Sequence, residues 1–369
     1  MQHEVAPVIP VLDCRDLASA DPAAHERVAN AVRVGLGHFG LIYLSHHGLD
    51  TAVQEECYDQ FLSFCALPDA EKRPYSRPDI WFQRGWTPPN TEKAVAAGGE
   101  PDFKECWFAA PLPLDPVCVA QFPEIFAANV WPAERGAFAT SYMALGQQVH
   151  AVGMGLLRGC ELALGLPAGA LTEKVPGAAH VTRALKYLPL SEEQVSAGVL
   201  WGEEHTDFNL LTLLPGGRFF APDGSRCARP DDGSGLWLRK RPNAQHPLGE
   251  LVSGSAPAGC IVAQVGQQLE ILTGGALLAT PHVIRAPKTP GYSRMSMAHF
   301  IHVHPHHVLY PLQEFRTEET VRLYSPPVLA GTYDIKTLVD IQLAPASALD
   351  KLGYRHYDRL AAAHVVERG

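Results

Sequence analysis

Residues 205 to 214 read His205-Thr206-Asp207-Phe208-Asn209-Leu210-Leu211-Thr212-Leu213-Leu214. A histidine and a carboxylate two positions apart lead straight into an apolar run. A strand rises about 3.3 Å per residue and returns each second side chain to the same face, so His205 and Asp207 there can grip one ion. Chance alone gives about one His-x-Asp triplet in a chain with 17 histidines, so the motif needs its context. A second triplet, His356-Tyr357-Asp358, falls in residues 347–366, which read as helix, where side chains two apart diverge. The strand-like setting favours the first pair as metal ligands.

Around that stretch the texture is one of short strands. Thr182 to Leu188, Asn209 to Leu214, Leu236 to Arg239, Cys260 to Val265, Leu269 to Leu272, Ala276 to Thr280 and Ser293 to Phe300 are alternating or apolar runs. They predict a mainly β fold of the sandwich or jelly-roll type with flanking helices. Pro215 to Ser234 and Lys240 to Ala258, rich in Gly, Pro and Asp, read as long surface loops. Upstream, Asp21-Pro22 starts a helix to about Leu36, and Thr51 to Cys65 reads as a second. Pro132 opens a long one in which Phe138, Tyr142, Leu145, Val149, Val152, Leu156 and Cys160 recur at three- and four-residue steps. That stripe is core packing, a spine for the sheet.

The chain has 369 residues, 46% apolar and 19% charged, with 32 Gly and 31 Pro. This excludes a disordered, coiled-coil or collagen-like chain. A formal net charge of -9 argues against nucleic acid as a partner. Val149 to Leu166, broken by Arg158 and Glu161, does not read as a membrane span, and Met1 to Asp13 does not read as a secretory signal. A cytoplasmic, monomeric protein is expected, its eight cysteines reduced because none forms a Cys-x-x-Cys pair.

Two histidines and one carboxylate with open positions are the signature of non-haem Fe(II) oxygenases. The third ligand has several candidates: His282, 75 residues beyond Asp207, and the group His299, His302, His304, His306 and His307. Strand parity sets His299 apart, since Arg294, Ser296 and Ala298 share one face while Met295, Met297 and His299 share the other. The remaining four straddle Pro305 and read as solvated or internally satisfied. Arg294-Met295-Ser296 places a guanidinium fork and a hydroxyl on one strand face, the groups a dianionic co-substrate needs.

The chain resembles the isopenicillin N synthase-like Fe(II)/2-oxoglutarate-dependent oxygenases in their bacterial form. The resemblance runs from about residue 7 to 312 and rests on motif order. First come Val8-Ile9-Pro10-Val11-Leu12-Asp13, Phe39-Gly40-Leu41-Ile42-Tyr43 leading to His47-Gly48, and Leu67-Pro68 with Glu71-Lys72. Lys186-Tyr187-Leu188-Pro189, the run from His205, Thr273 to Ile284 with Thr280-Pro281-His282, and Arg294-x-Ser296 follow. It departs where plant relatives carry Asn-Tyr-Tyr-Pro at Lys186 to Pro189 and Asn-x-Gly-Asp at Gln264 to Gln267.

The resemblance implies a double-stranded β-helix, with 1–125 an N-terminal helix and strand region, 126–312 the spine helix and jelly-roll core, and 313–369 a helical extension of one unit. It implies Fe(II) on His205, Asp207 and His282, and 2-oxoglutarate on Arg294 and Ser296 with Tyr187 pointing into the pocket. O2 oxidises a small-molecule substrate, with succinate and CO2 released. Retention of Asp207 disfavours halogenation. Phe103, Glu105 and Trp107 on a strand, and Lys186, are candidate substrate contacts. Two other readings stand beside the first: an oxidase of the isopenicillin N synthase or aminocyclopropane-carboxylate oxidase type that needs no 2-oxoglutarate, and a non-catalytic sensor on the same scaffold.

Overall fold

The strand Ser293–Ile301 organises the molecule because its two faces have different chemistry. In the computed structural model, which describes residues 8–91, 103–242, 244 and 246–352, it runs antiparallel to Val181–Tyr187 along one edge. Leu211–Leu214 and Gly217–Phe220 pair along the other. Arg294, Ser296, Ala298 and Phe300 face a cavity. Met295, Met297 and Ile301 face the largest apolar core, and His299 is buried on that side with them. This is the parity expected of an alternating strand.

The strand belongs to a large sheet ordered Val11–Asp13, Leu41–Ser45, Ile261–Val265, Leu211–Leu214, Ser293–Ile301, Val181–Tyr187, Lys104–Ala109 and Gly85–Thr87. N-terminal strands are thus interleaved with later ones. A smaller sheet, ordered Leu251–Ser253, Gly235–Arg239, His282–Arg285 and Gly202–His205, supplies the opposite wall of the cavity. Two sheets closing on an interior with helices behind one of them is the jelly-roll arrangement.

The spine helix Gly136–Ala163 packs behind the large sheet and buries Phe138, Tyr142, Leu145, Val149, Leu156 and Cys160. The approach is close enough that a methyl group at Gly153 would collide with Ile301 Cδ1 and Leu213 Cδ2. Tyr142 fastens the two layers: its hydroxyl lies 2.7 Å from the Trp107 carbonyl and 2.9 Å from that of Thr182, and it accepts the Ala184 N–H. Phe64, Trp107, Trp131 and Phe138 stack around the same point. Truncating a ring such as Phe138 would cost about 3–5 kcal/mol.

Several sequence expectations need correction. The spine helix begins at Gly136 rather than Pro132, because Pro132 to Arg135 closes a turn through the Arg135 N–H and the Pro132 carbonyl (3.0 Å). Leu269 to Leu272 is the end of a helix, Gln267–Leu272, and Ala276 to Thr280 is not a strand. Short apolar runs do not separate the two periods, and a helix lets Leu269 and Leu272 bury on one side. The expected loops contain the strands Gly217–Phe220, Arg226–Cys227 and Leu251–Ser253, which form by pairing at sheet edges rather than from local pattern. His356 and Asp358 lie outside the described residues. All eight cysteines are free thiols. Among the described residues no helix is long and apolar enough to cross a membrane.

Candidate metal centre

Strand pairing in the smaller sheet sets His282 directly opposite His205, their rings 4.4 Å apart. The strand Gly202–His205 ends there, so Asp207 does not reach the site by strand alternation as the sequence suggested. It sits in the connection to Leu211–Leu214, where its carbonyl accepts the Gln267 N–H at 2.8 Å. That connection requires Gly266, since any side chain there would run into the Asn209 carbonyl. His205 Nε2 and His282 Nε2 end 3.7 and 3.9 Å from Asp207 Oδ1.

The remaining polar atoms of the trio are committed elsewhere. His205 Nδ1 lies 2.7 Å from the Glu203 carbonyl and His282 Nδ1 3.4 Å from that of Thr280. Both rings therefore carry their proton on Nδ1 and turn an Nε2 lone pair towards Asp207. Thr212 Oγ1 donates to Asp207 Oδ2 at 2.7 Å, leaving Oδ1 for the centre. Burial first, and then the neighbouring His205, press the His282 pKa down to about 4, so the ring is neutral at pH 7. Two imidazoles, each with an Nε2 turned to the centre, and one carboxylate converging on one point fit a divalent cation with open positions.

Arg294 faces the same cavity, of about 790 Å³, together with Ser296 and Tyr187. It donates to Ser296 Oγ at 3.2 Å, and its guanidinium stands 5.5 Å from the Tyr187 ring and 5.6 Å from that of Phe219. Burial lowers its pKa, and among the described residues no carboxylate pairs with it. A desolvated guanidinium in that setting calls for an anionic ligand.

The expected substrate contacts are not brought to this cavity. Lys104 lines it, and strand alternation then turns Glu105 and Trp107 to the other face. There Glu105 accepts from Lys72 Nζ and Trp86 Nε1, both at 2.9 Å, and lies 3.5 Å from Lys186 Nζ. Trp107 is core and Phe103 packs against the apolar cluster beside the cavity. Conversely, sequence reasoning missed the cationic lining: Arg183, Arg218, Arg226 and Arg229 join Lys104 and Arg294, with Arg218 and Arg226 paired to Glu55 and Asp59 outside the lining. Arg226 and Arg229, two arginines inside a stretch taken for a surface loop, were the available signal. Gln267 was also missed: it donates to Thr206 Oγ1 and accepts from the Tyr333 hydroxyl, tying the metal loop to the helix Ala330–Asp340.

The family model described as the N-terminal part of non-haem dioxygenases in morphine synthesis matches residues 9–134. The 2-oxoglutarate-dependent dioxygenase imqE of Aspergillus flavus is 27% identical over 239 residues, 56% of this chain and 63% of that protein, so the match spans less than two thirds of it. Kihadalactone A synthase LFS of Citrus sinensis is 25% identical over 88% of this chain and 91% of its own. Among solved structures, one from Caulobacter crescentus assigned to the 2OG-Fe(II) oxygenase family superposes with a TM-score of 0.73 at 26% identity, covering 91% of this chain and 99% of that one. These likenesses, spread along a jelly roll that brings two histidines and an aspartate together, make the chain similar in sequence and fold to Fe(II)/2-oxoglutarate-dependent dioxygenases.

Proposed function

We propose that the chain uses Fe(II), 2-oxoglutarate and O2 to hydroxylate or desaturate a small-molecule substrate, releasing succinate and CO2. His205, Asp207 and His282 hold the iron, and Arg294 with Ser296, beside Tyr187, holds the distal carboxylate of 2-oxoglutarate. One observation carries the reading: three donor atoms with their other polar atoms already satisfied share a cavity with a half-buried arginine that no carboxylate pairs with among the described residues.

Bound iron supplies the redox chemistry that couples O2 and 2-oxoglutarate cleavage to substrate oxidation. The chain's residues do the positioning. Glu203 and Thr280 carbonyls hold the two rings, Thr212 holds the carboxylate, and Arg294 fixes one end of the co-substrate. Arg294 at the cavity wall attracts an anion, while Arg218 and Arg226 are already paired with Glu55 and Asp59. Leu185, Leu214, Phe219, Leu236, Ile284 and Phe300 make the walls apolar, which keeps water from competing with the reacting groups.

The test is anaerobic addition of 2-oxoglutarate to the Fe(II)-loaded protein. A visible charge-transfer band is expected, because keto-acid chelation creates a metal-to-ligand transition. Admission of O2 with a substrate should then raise succinate release. If no band forms and O2 is consumed without succinate, Arg294 and Ser296 hold a substrate carboxylate and the oxidase reading replaces this one. If no substrate stimulates O2 uptake, the sensor reading does.

A further inference from the structure

After the strand Ser293–Ile301 the chain brings His304 and His306 against the short helix Pro116–Gln121. None of these residues lines the cavity. His304 Nε2 stands 3.1 Å from Asp115 Oδ2 and 3.5 Å from Cys118 Sγ. One donor atom each of Cys118, His304 and His306 lies within 4.8 Å of the others. Cys118 is fully buried, and His304 is its sole polar partner among the described residues. A neutral His304 has one proton at most to offer from Nε2, yet a carboxylate oxygen and a sulfur both face that atom.

A cation held by Cys118, His304 and His306 would satisfy the sulfur. Zn–S of about 2.3 Å and Zn–N or Zn–O of about 2.0 Å at tetrahedral angles put sulfur and nitrogen about 3.5 Å apart, and nitrogen and oxygen about 3.3 Å apart. The observed sulfur-to-nitrogen separation of 3.5 Å matches. The outer nitrogen of His306 is arranged accordingly, while the His306 N–H lies 3.4 Å from His304 Nδ1. His306 Nε2 donates to Gln121 Oε1 at 2.6 Å, which leaves the lone pair on Nδ1. Asp115 Oδ1 is occupied by the Val117 N–H at 2.7 Å, which leaves Oδ2. Gly177 keeps the space open, since a Cβ there would come within 3.3 Å of Asp115 Cβ and 3.5 Å of His304 Cδ2.

We propose that Cys118, His304 and His306 form a Zn²⁺ site separate from the cavity, binding the metal with release of the Cys118 thiol proton to solvent. A thiolate and two imidazoles are the soft and borderline donors that zinc selects, and the Asp115 carboxylate stands next to His304. The site fastens the helix Pro116–Gln121 to a loop whose Pro305 and His307 carbonyls accept the Gly331 and Ala330 N–H groups, at 3.1 and 2.9 Å. Three segments distant in sequence meet at this one clamp.

The test is anaerobic titration of the metal-free full-length protein with Co²⁺ as a spectroscopic stand-in. A near-ultraviolet sulfur-to-cobalt charge-transfer band is expected, displaced by Zn²⁺ and retained in His205→Ala, whose proposed iron site has no sulfur ligand. Cys118→Ser should abolish the band, and His306→Ala, at an exposed position that leaves the core intact, should weaken Co²⁺ binding by about tenfold or more. Absence of the band in the unaltered protein overturns the proposal. So does a band that survives both substitutions.

Discussion

The large sheet separates two groups of histidines that differ in what their nitrogens are free to do. On the cavity side, His205 and His282 give their Nδ1 protons to backbone carbonyls and keep an Nε2 lone pair facing Asp207. On the core side, His299 uses Nδ1 on Thr182 Oγ1 (2.9 Å) and Nε2 on His150 Nδ1 (3.1 Å), while His180 packs 4.6 Å from the His150 ring. No carboxylate touches that second group among the described residues, and burial holds His180 and His299 well below the usual imidazole range. Clustering of histidines is therefore not what makes a metal centre. Lone pairs left over after the protein's own hydrogen bonds are counted, next to a carboxylate, make one.

The comparison breaks most directly through iron content. His205→Ala, Asp207→Ala and His282→Ala should each lower turnover by about a thousandfold or more, on the scale of losing a group that holds the reacting centre. His299→Ala should leave iron stoichiometry unchanged and cost about 1–3 kcal/mol of stability, since it strands the partners on Thr182 and His150. An iron assay paired with chemical denaturation separates the two outcomes. A His299→Ala protein that folds normally but lacks iron would dissolve the distinction.

Next in size is the cation across the cavity. Arg294→Ala should weaken 2-oxoglutarate binding by about 2–5 kcal/mol, the scale for truncating one side of a buried charge pair. Arg294→Lys should recover part of it, because an ammonium lacks the two-pronged fork. Titration of the charge-transfer band reads both.

The core-side group offers a pH signature. Burial depresses the His150 pKa to about 4 in the folded state, against an ordinary imidazole value of about 6.5. The unfolded chain therefore takes up the proton first as pH falls. The contribution of a neutral His150 is complete above pH 6.5 and is lost progressively towards pH 4, on the order of 3 kcal/mol in all. Denaturation midpoints of the protein and of His150→Gln, compared between pH 7 and 4.5, should converge in acid. Parallel loss in both would assign acid sensitivity elsewhere.

Much of this was legible from residues and much was not, for identifiable reasons. His205 and Asp207 announced themselves by spacing and His282 by the resemblance, and the parity of Arg294, Ser296 and His299 follows from strand alternation alone. Which face of Lys104–Ala109 meets the cavity was not legible: the segment is buried on both sides, so its sequence carries no polar alternation to orient it. The arginines at 218, 226 and 229 were hidden for another reason, since edge strands form by pairing with partners far away in sequence. The donor groups around Cys118 lie about 190 residues apart and share no motif, so only folding brings them together.

The smallest expected effect concerns Thr212, which the sequence showed merely as part of a strand. Thr212→Val removes the hydroxyl that holds Asp207 Oδ2 and should weaken Fe(II) binding by about 10- to 100-fold with the fold intact. Thr212→Ser should restore most of it, and an equilibrium dialysis series decides between them.

Every residue assigned to iron and 2-oxoglutarate lies before position 300, yet Gln267 ties the Thr206 to Asp207 connection to Tyr333 in the helix Ala330–Asp340. A truncated polypeptide ending after the last strand of the large sheet would keep all six contact residues and lose the buttress behind one of them. The carboxylate would then ride on a loose segment, and its hold on the metal would become a question of chain length rather than of ligand chemistry.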